Sequence, residues 1–415
     1  MLNREETHVM KIGLVNDFFP PKTTGGTELF LKALYTYLEN QGFEIFLITQ
    51  NAVSGGTGFK TYKINSSPLN FKHMKQAPGI TLPWLAFNKP LISQIKQIYK
   101  KETPDILHIN NLYHLSLAPL QAAEEIPFLL DAHDYWPVCF SKDLFKDDQK
   151  FCTQKENWRC SFCLSKKFSF PAEPFFIPQL YIESNMKRKL LSNAKEIVCH
   201  SNFVKERLEE RGYKSRVIPY PYFGKENKNP IKNKRGEKLN LLFAGRVELK
   251  KGADLLIPLA QELLKQKIDF RIDVIGEGPL KTTVDRKDLN IHTHGFLVEE
   301  KYKFFERADF LVAPSRWPEP FGIVSLEAME YRIPIITLES SGGLRDIVKE
   351  NNIGIISSQA TIAEDIINLY NNEKQIQLFK SNCKKIKQYR KEKIFKEYKK
   401  LLEHIVKNYG DKKSE

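Results

Sequence analysis

The sequence predicts an α/β protein of two doubly wound domains facing each other across a cleft, with a cysteine-rich insertion in the first. Three observations predict it. Short apolar runs alternate with amphipathic helical stretches from Lys11 onward, and the same alternation restarts near Asn240. Between them lie residues 217–238, VIPYPYFGKENKNPIKNKRGEK, whose Pro, Lys, Asn and Gly content is that of a linker. At 415 residues the chain also exceeds what one hydrophobic core holds, so two domains of roughly 200 residues are expected.

In the first half, residues 12–17 (IGLVND) form a buried-strand run, and TELFLKALYTYLENQG (27–42) carries apolar residues at i, i+3 and i+4 and stops at Gly42. FEIFLITQ (43–50), DILHIN (105–110) and FLLDAH (128–133) continue the strands. Strand, helix, strand in that order means parallel pairing with helices on both faces. In the second half LNLLFAGRV (239–247) and FRIDVIGEG (270–278) read as strands around the helix ADLLIPLAQELLKQK (253–267). YKFFERA (302–308), DFLVAPS (309–315), GIVSLEAMEY (322–331) and PIITLE (334–339) extend the alternation. The boundaries expected are a first domain over 1–217 with an insertion over about 139–180, a second over 218–390, and a basic helix over 391–415 packing back on the first domain. Ligands of such folds bind at the carboxyl ends of the strands, so the cleft is the expected site.

Apolar content of 41% with 12% aromatics excludes wholesale disorder. No apolar run reaches the roughly 18 residues that span a bilayer, and MLNREETHVMKIGLV lacks signal-peptide design; residues 1–9 read as a loose leader. Six cysteines without such a signal point to the reducing cytoplasm. The net charge of +14 favours anionic partners, and much of it lies in residues 380–413. That tail reads either as a solvated basic helix or as a segment drawn to an anionic membrane surface at the inner leaflet. A nucleic-acid binder would need a recognition helix or aromatic and basic residues interleaved on one face; neither is evident, and no nucleic acid is expected.

Four segments carry candidate chemistry. Gly25 and Gly26 lie between the first strand and its helix, where backbone N–H groups and a helix N-terminus can approach an anion; a capped turn is the plainer reading. In AGRVELKKG, Arg246 at a strand end and Lys251 near the start of the following helix could face one crevice, and a guanidinium with an ammonium neutralises a diphosphate. In EPFGIVSLE, Glu319 precedes a helix opening at Phe321, Gly322 and Ile323, and Glu327 lies inside it. Two carboxylates beside helix amides suit sugar hydroxyls; the alternative is an acid-rich first turn with a salt bridge at Glu327. Gly276, Gly278 and Pro279 end another strand, where a base ring could approach the backbone or where the chain simply turns.

Together FPP…GGTE, DILHIN, DAHDYWPVC, CHSNFVKERL, AGRVELKKG, IGEGP and PSRWPEPFGIVSLEAM resemble, in order and over nearly the whole chain, the family-4 glycosyltransferases of the two-Rossmann (GT-B) fold. The resemblance implies a retaining enzyme moving a hexosyl-type residue from a UDP- or GDP-type nucleotide sugar to a hydroxyl. The acceptor would be a glycan or lipid-linked molecule of cell-surface glycan, polysaccharide or glycolipid biosynthesis. Gly25, Gly26, Arg246 and Lys251 would bind the donor diphosphate. Glu319 would contact the donor sugar, with Phe321, Gly322 and Ile323 nearby, and Glu327 the ribose. Gly276, Gly278 and Pro279 would border the base. His133 would stand by the donor sugar at the reaction centre, making it and Glu319 the catalytic candidates, with Asp134, His108 and Asn110 on the acceptor side. No cofactor is implied for catalysis, and no Asp-x-Asp sequence calls for a catalytic metal. A scaffold that binds nucleotide sugar with weak or no turnover is the competing reading. The linker departs from the family's Asn-Gly-Val-Asp type signature, reading Ile218-Pro219-Tyr220-Pro221-Tyr222 instead.

Cys139, Cys152, Cys160 and Cys163 lie within 25 residues, the last two in Cys-x-x-Cys spacing that suits one tetrahedral ion. A structural zinc ordering the insertion is the leading reading, with free thiols, disulfides or an iron–sulfur cluster as alternatives. Residues 168–191 mix aromatic and basic side chains, which suits either packing beneath that loop or contact with a lipid-linked acceptor. Peripheral attachment at the inner membrane face would follow from the latter.

Overall fold

The structure, a computed structural model, describes residues 9–20, 26–50, 58–64, 88–112, 115–146, 151–168, 173–224, 226–227 and 238–411. Seven strands build the first sheet: β1 (Lys11–Val15), β2 (Glu44–Thr49), β3 (Lys60–Lys63), β4 (Ile106–Ile109), β5 (Phe128–Ala132), β6 (Glu196–Cys199) and β7 (Arg216–Val217). Their order is β3-β2-β1-β4-β5-β6-β7, all parallel. Six more build the second: β8 (Leu239–Ala244), β9 (Phe270–Ile275), β10 (Ile291–Thr293), β11 (Phe310–Ala313), β12 (Ile335–Leu338) and β13 (Gly354–Ser357). Their order is β10-β9-β8-β11-β12-β13, again parallel. Each order runs outward from the first strand of its sheet in both directions, which is the doubly wound arrangement with its crevice at the reversal point.

The central strands are nearly continuous apolar runs because helices cover both faces. Gly13 in β1 is there for close packing: a Cβ would stand 2.6 Å from the Phe46 ring and 2.7 Å from Leu107. The helix Gly26–Glu39 buries Phe30, Leu31, Leu34, Tyr35 and Leu38 along one stripe. Lys89–Glu102 is closed by Asn88, whose side chain accepts from the Leu91 N–H at 3.1 Å, and by Thr103 in the left-handed conformation. The expected helix over 253–267 is more broken: 3₁₀ turns at Leu249–Lys251 and Ala253–Leu255 precede Leu256–Lys265, hinged on Gly252 at φ 70°.

The last helix, Lys391–Asp411, returns to the first domain. It buries Ile394, Phe395, Tyr398 and Leu402 in a core shared with Phe30 and Leu34 of the helix Gly26–Glu39 and with Tyr220, Phe321 and Tyr389. One apolar cluster therefore runs through both domains at the back of the cleft. At the front, the loop after β5 straps the domains together. Asp143 pairs with Lys250 at 2.6 Å and its carbonyl accepts from the Trp317 indole at 2.7 Å. Beside it the Tyr135 hydroxyl donates to the Pro318 carbonyl at 2.9 Å, and the Ser201 hydroxyl to that of Pro320 at 2.7 Å. Among the described residues no helix is long and apolar enough to cross a membrane.

Candidate active site

The carboxyl ends of β1, β5, β8 and β11 open into one interdomain cleft of about 520 Å³, a size that holds a small-molecule ligand. The second domain supplies its cationic wall. Arg246, just past β8, carries a largely exposed guanidinium whose nearest acid is Glu248 at 3.6 Å. Lys251, presented by the 3₁₀ turn, lies over the Trp317 ring and pairs with Glu319 at 2.9 Å. Glu319 is held from behind, since its N–H donates to Ser341 and its carbonyl accepts from Gly343 at 2.7 Å. Phe321, Gly322 and Ile323 complete this wall.

The first domain supplies Gly26, His133 and Asp134. A Cβ on Gly26 would stand 2.6 Å from Ile323 Cδ1, the tip of a side chain, so the two walls approach closely there. Gly25 lies outside the described residues. His133 is enclosed on both nitrogens: Nε2 is 2.8 Å from Asn110 Oδ1, and Nδ1 is 2.5 Å from the Tyr220 hydroxyl and 2.9 Å from His200 Nε2. Burial drives its pKa down to about 3 against the opposing pull of Asp131, so the ring is neutral. Asp134 accepts from the Trp136 N–H at 2.7 Å, yet burial, helped by Asp17 and Asp143, lifts its carboxyl to about 7.

Several expected site residues stand elsewhere. His108, expected on the acceptor side, is completely buried and hydrogen-bonded to Tyr35 at 2.6 Å; it does not reach the cleft. Asn110, also expected there, is buried and acts on His133 instead. Glu327 does not line the cleft either, being paired with Lys301 in the first turn of Val324–Glu330. Gly276 and Gly278 answer to packing: a Cβ on either would stand 1.8 Å from the Gly245 carbonyl or 2.3 Å from that of Val247. They brace the Arg246 segment, and neither they nor Pro279 line the cleft.

Other cleft residues went unrecognised in the sequence. Asn16 and Asp17 follow β1, Glu28 lies in the first turn of the next helix, and Lys142 reaches in from the strap. The polar pair closing IGLVND was the available signal for the first two. Burial lowers Lys142 to about 7, with Asp17 and Asp143 opposing. Tyr220 comes from the divergent linker, so the departure at that point places a phenol against His133.

The four clustered cysteines line a second cavity of about 270 Å³ behind the strap. Their sulfurs do not converge on one point. Among the described residues, the one group of His, Cys, Asp or Glu ligand atoms gathered within 4.8 Å is Asp131, His133 and His200.

Two family models match the chain in succession: Glycosyltransferase Family 4 over residues 24–221 and Glycosyl transferases group 1 over 224–393. The chain belongs to the family-4 glycosyltransferases of GT-B fold. An uncharacterized glycosyltransferase of Methanocaldococcus jannaschii is 30% identical to it over 191 residues, 44% of this chain and 51% of that protein, so the match spans about half of that relative. Sucrose-phosphate synthase from Thermosynechococcus elongatus superposes with a TM-score of 0.66 at 15% identity, covering 96% of this chain and all of that one. Anabaena HepE in complex with UDP and glucose superposes at 0.63 and 15% identity over 95% of this glycosyltransferase and 99% of HepE.

Proposed function

We propose that this glycosyltransferase moves a hexosyl residue, with retention, from a UDP- or GDP-type sugar to a hydroxyl of a glycan or lipid-linked acceptor in surface-glycan, polysaccharide or glycolipid assembly. The observation that carries the reading is the Lys251–Glu319 pair beside Arg246 in the cleft. A nucleotide sugar brings one partner for each member: the diphosphate takes Lys251 and Arg246, and a sugar hydroxyl takes Glu319. Neither charge is then stranded by opening the pair. The diphosphate departs toward two cations, which stabilises charge as it develops. On the front face its leaving oxygen takes the acceptor proton. That assignment agrees with a His133 whose ring nitrogens are both engaged. The UDP and glucose held by the HepE neighbour support the donor class.

A panel of UDP-, GDP- and ADP-sugars tests this by donor hydrolysis and by thermal protection. Glu319→Ala and Arg246→Ala are each expected to lower turnover at least about a hundredfold while the fold persists. Full activity in either variant sinks the assignment, and protection without turnover in the unmodified protein favours the scaffold reading. Retention is checked by the anomeric configuration of the product.

The lipid-linked acceptor is supported by exposed Trp158, Phe162, Tyr181 and Ile182 on the cysteine-bearing segment and the helix Glu173–Leu191. Salt-sensitive sedimentation with phosphatidylglycerol vesicles is expected; none would favour a soluble glycan. Structural zinc on Cys139, Cys152, Cys160 and Cys163 is supported by their common cavity and by Cys160 Sγ accepting the Asn157 N–H at 3.4 Å. Binding would have to draw the sulfurs together. Elemental analysis is expected to give one equivalent of zinc, lost on Cys160→Ser; a metal-free, stable protein refutes it.

A further inference from the structure

Behind His133 lies a cluster that the proposed transfer does not use. Asp131, the fourth residue of β5, is buried, and four ring side chains from four separate segments surround it. The Tyr398 hydroxyl donates to Oδ2 at 2.7 Å, His200 Nε2 is 3.1 Å from Oδ1, and His108 and His133 present Nε2 at 3.4 and 3.8 Å from Oδ2. Tyr35 on His108, Tyr220 on His133 and the buried Cys199 thiol complete the titratable surroundings.

The hydrogen-bond partners assign the protons. Asn110 Nδ2 donates to the carbonyls of Val15 and His108, so its Oδ1 faces His133, and His133 Nε2 must carry a hydrogen. His200 Nδ1 is 2.9 Å from the Ile218 carbonyl and must carry one too. His200 Nε2 faces the Asp131 carboxylate and His133 Nδ1, and both of these are acceptors. With the Tyr220 hydroxyl also 2.5 Å from His133 Nδ1, a third hydrogen is placed on His200 Nε2, between Asp131 Oδ1 at 3.1 Å and His133 Nδ1 at 2.9 Å, one more than two neutral imidazoles hold. Asp131 is closer to His200 than to His133, which places the charge on His200.

We infer that Asp131 and His200 are positioning residues of the reaction centre, a buried carboxylate–imidazolium pair that locks His133 as the neutral Nε2–H tautomer. The depressed pKa values of Asp131 and His133 agree with that distribution. A metal ion is the competing occupant of the same three side chains. Tetrahedral ligands at zinc distances stand about 3.3 Å apart, whereas the two ring nitrogens are 2.9 Å apart, a hydrogen-bond separation. Through Tyr398 the last helix also reaches the reaction centre. The inference rests on the glycosyltransferase reading only for its effect on turnover.

The test is long-range proton–nitrogen NMR of ¹⁵N-histidine-labelled full-length protein at pH 7, assigned with His200→Gln. His200 is expected to be doubly protonated and His133 singly protonated at Nε2. In Asp131→Asn, His200 should become neutral and His133 should lose its single tautomer. Donor turnover should fall about tenfold to a hundredfold, with KM for the donor little changed, as for a misaligned group. Tyr398→Phe, which leaves the carboxylate in place, should keep His200 charged and is the control if Asp131→Asn fails to fold. A singly protonated His200 in the unmodified protein overturns the inference, as does a bound metal that survives Cys160→Ser. A doubly protonated His200 in a protein that uses no donor would sink the donor reading and leave this one standing.

Discussion

Asp134 and Glu102 show how one kind of group is tuned in opposite directions. Burial leads at both, but at Glu102 it is outweighed by Lys60, Tyr62 and Lys11, which bring the carboxyl down to about 2. The folded state then binds fewer protons than the unfolded chain, so this stabilisation is present above pH 4.5 and lost as pH falls toward 2. Glu102→Gln should remove that acid-side loss, on the order of 1–2 kcal/mol with Lys60 exposed to screening, as read from urea midpoints at pH 3 and 7. Asp134 has the opposite sign: its folded pKa of about 7 stands above the unfolded 3.8, so stability falls as pH rises between them. Asp134→Asn is therefore expected to gain stability relative to the native chain above pH 7. Because Asp134 lines the cleft, the variant should also lose any step in kcat/KM between about pH 6 and 8, which a pH–rate profile would show.

At the scale of elements, the cleft depends on turns that tolerate no side chain. Gly252 sits at φ 70° with a would-be Cβ 2.0 Å from the Pro314 carbonyl, and Lys251 precedes it directly. Gly42 has φ 88° but nothing within 4 Å. Gly42→Ala should thus cost about 1 kcal/mol from the backbone alone. Gly252→Ala should cost more than about 2 kcal/mol, because Pro314 must also move. It should weaken donor protection by displacing Lys251, whereas Gly42→Ala leaves protection intact. Denaturant midpoints and thermal shifts with nucleotide sugar separate the two outcomes. The loop Gly276–Pro279 belongs to the same class, bracing Arg246 by backbone contact.

Over the whole molecule, the domains are joined by an apolar core behind the cleft and a polar strap in front. Asp143 is the hinge of the strap through Lys250 and Trp317. Asp143→Ala, which removes the Lys250 pair and keeps the backbone bond from Trp317, is expected to widen the cleft and weaken donor affinity several-fold with little change in Tm, since the core at the back is untouched. An unchanged radius of gyration by X-ray scattering, together with unchanged affinity, would refute that role. Ending the chain at Arg390 should be far worse, because it strips Phe395 and Tyr398 from Phe30 and Tyr37 and removes Tyr398 from Asp131. Such a protein is expected to be insoluble.

The two doubly wound domains were legible in one dimension, because apolar period and glycine-punctuated turns are local properties of the chain. The sequence also indicated Arg246, Lys251, Glu319, His133 and Gly26 as cleft residues, since strand ends and helix starts with charged or glycine residues are visible in one dimension. Which polar groups meet was set by the packing of distant segments. His108 and His133 end neighbouring strands in similar sequence settings, yet one is sealed against Tyr35 and the other lines the cleft. Glu319 and Glu327 differ likewise, one facing Lys251 in the cleft and the other Lys301 outside it. Tyr220, His200 and Tyr398 come from the linker, the end of β6 and the last helix. Their convergence on His133 and Asp131 depends on long-range packing that no local pattern records.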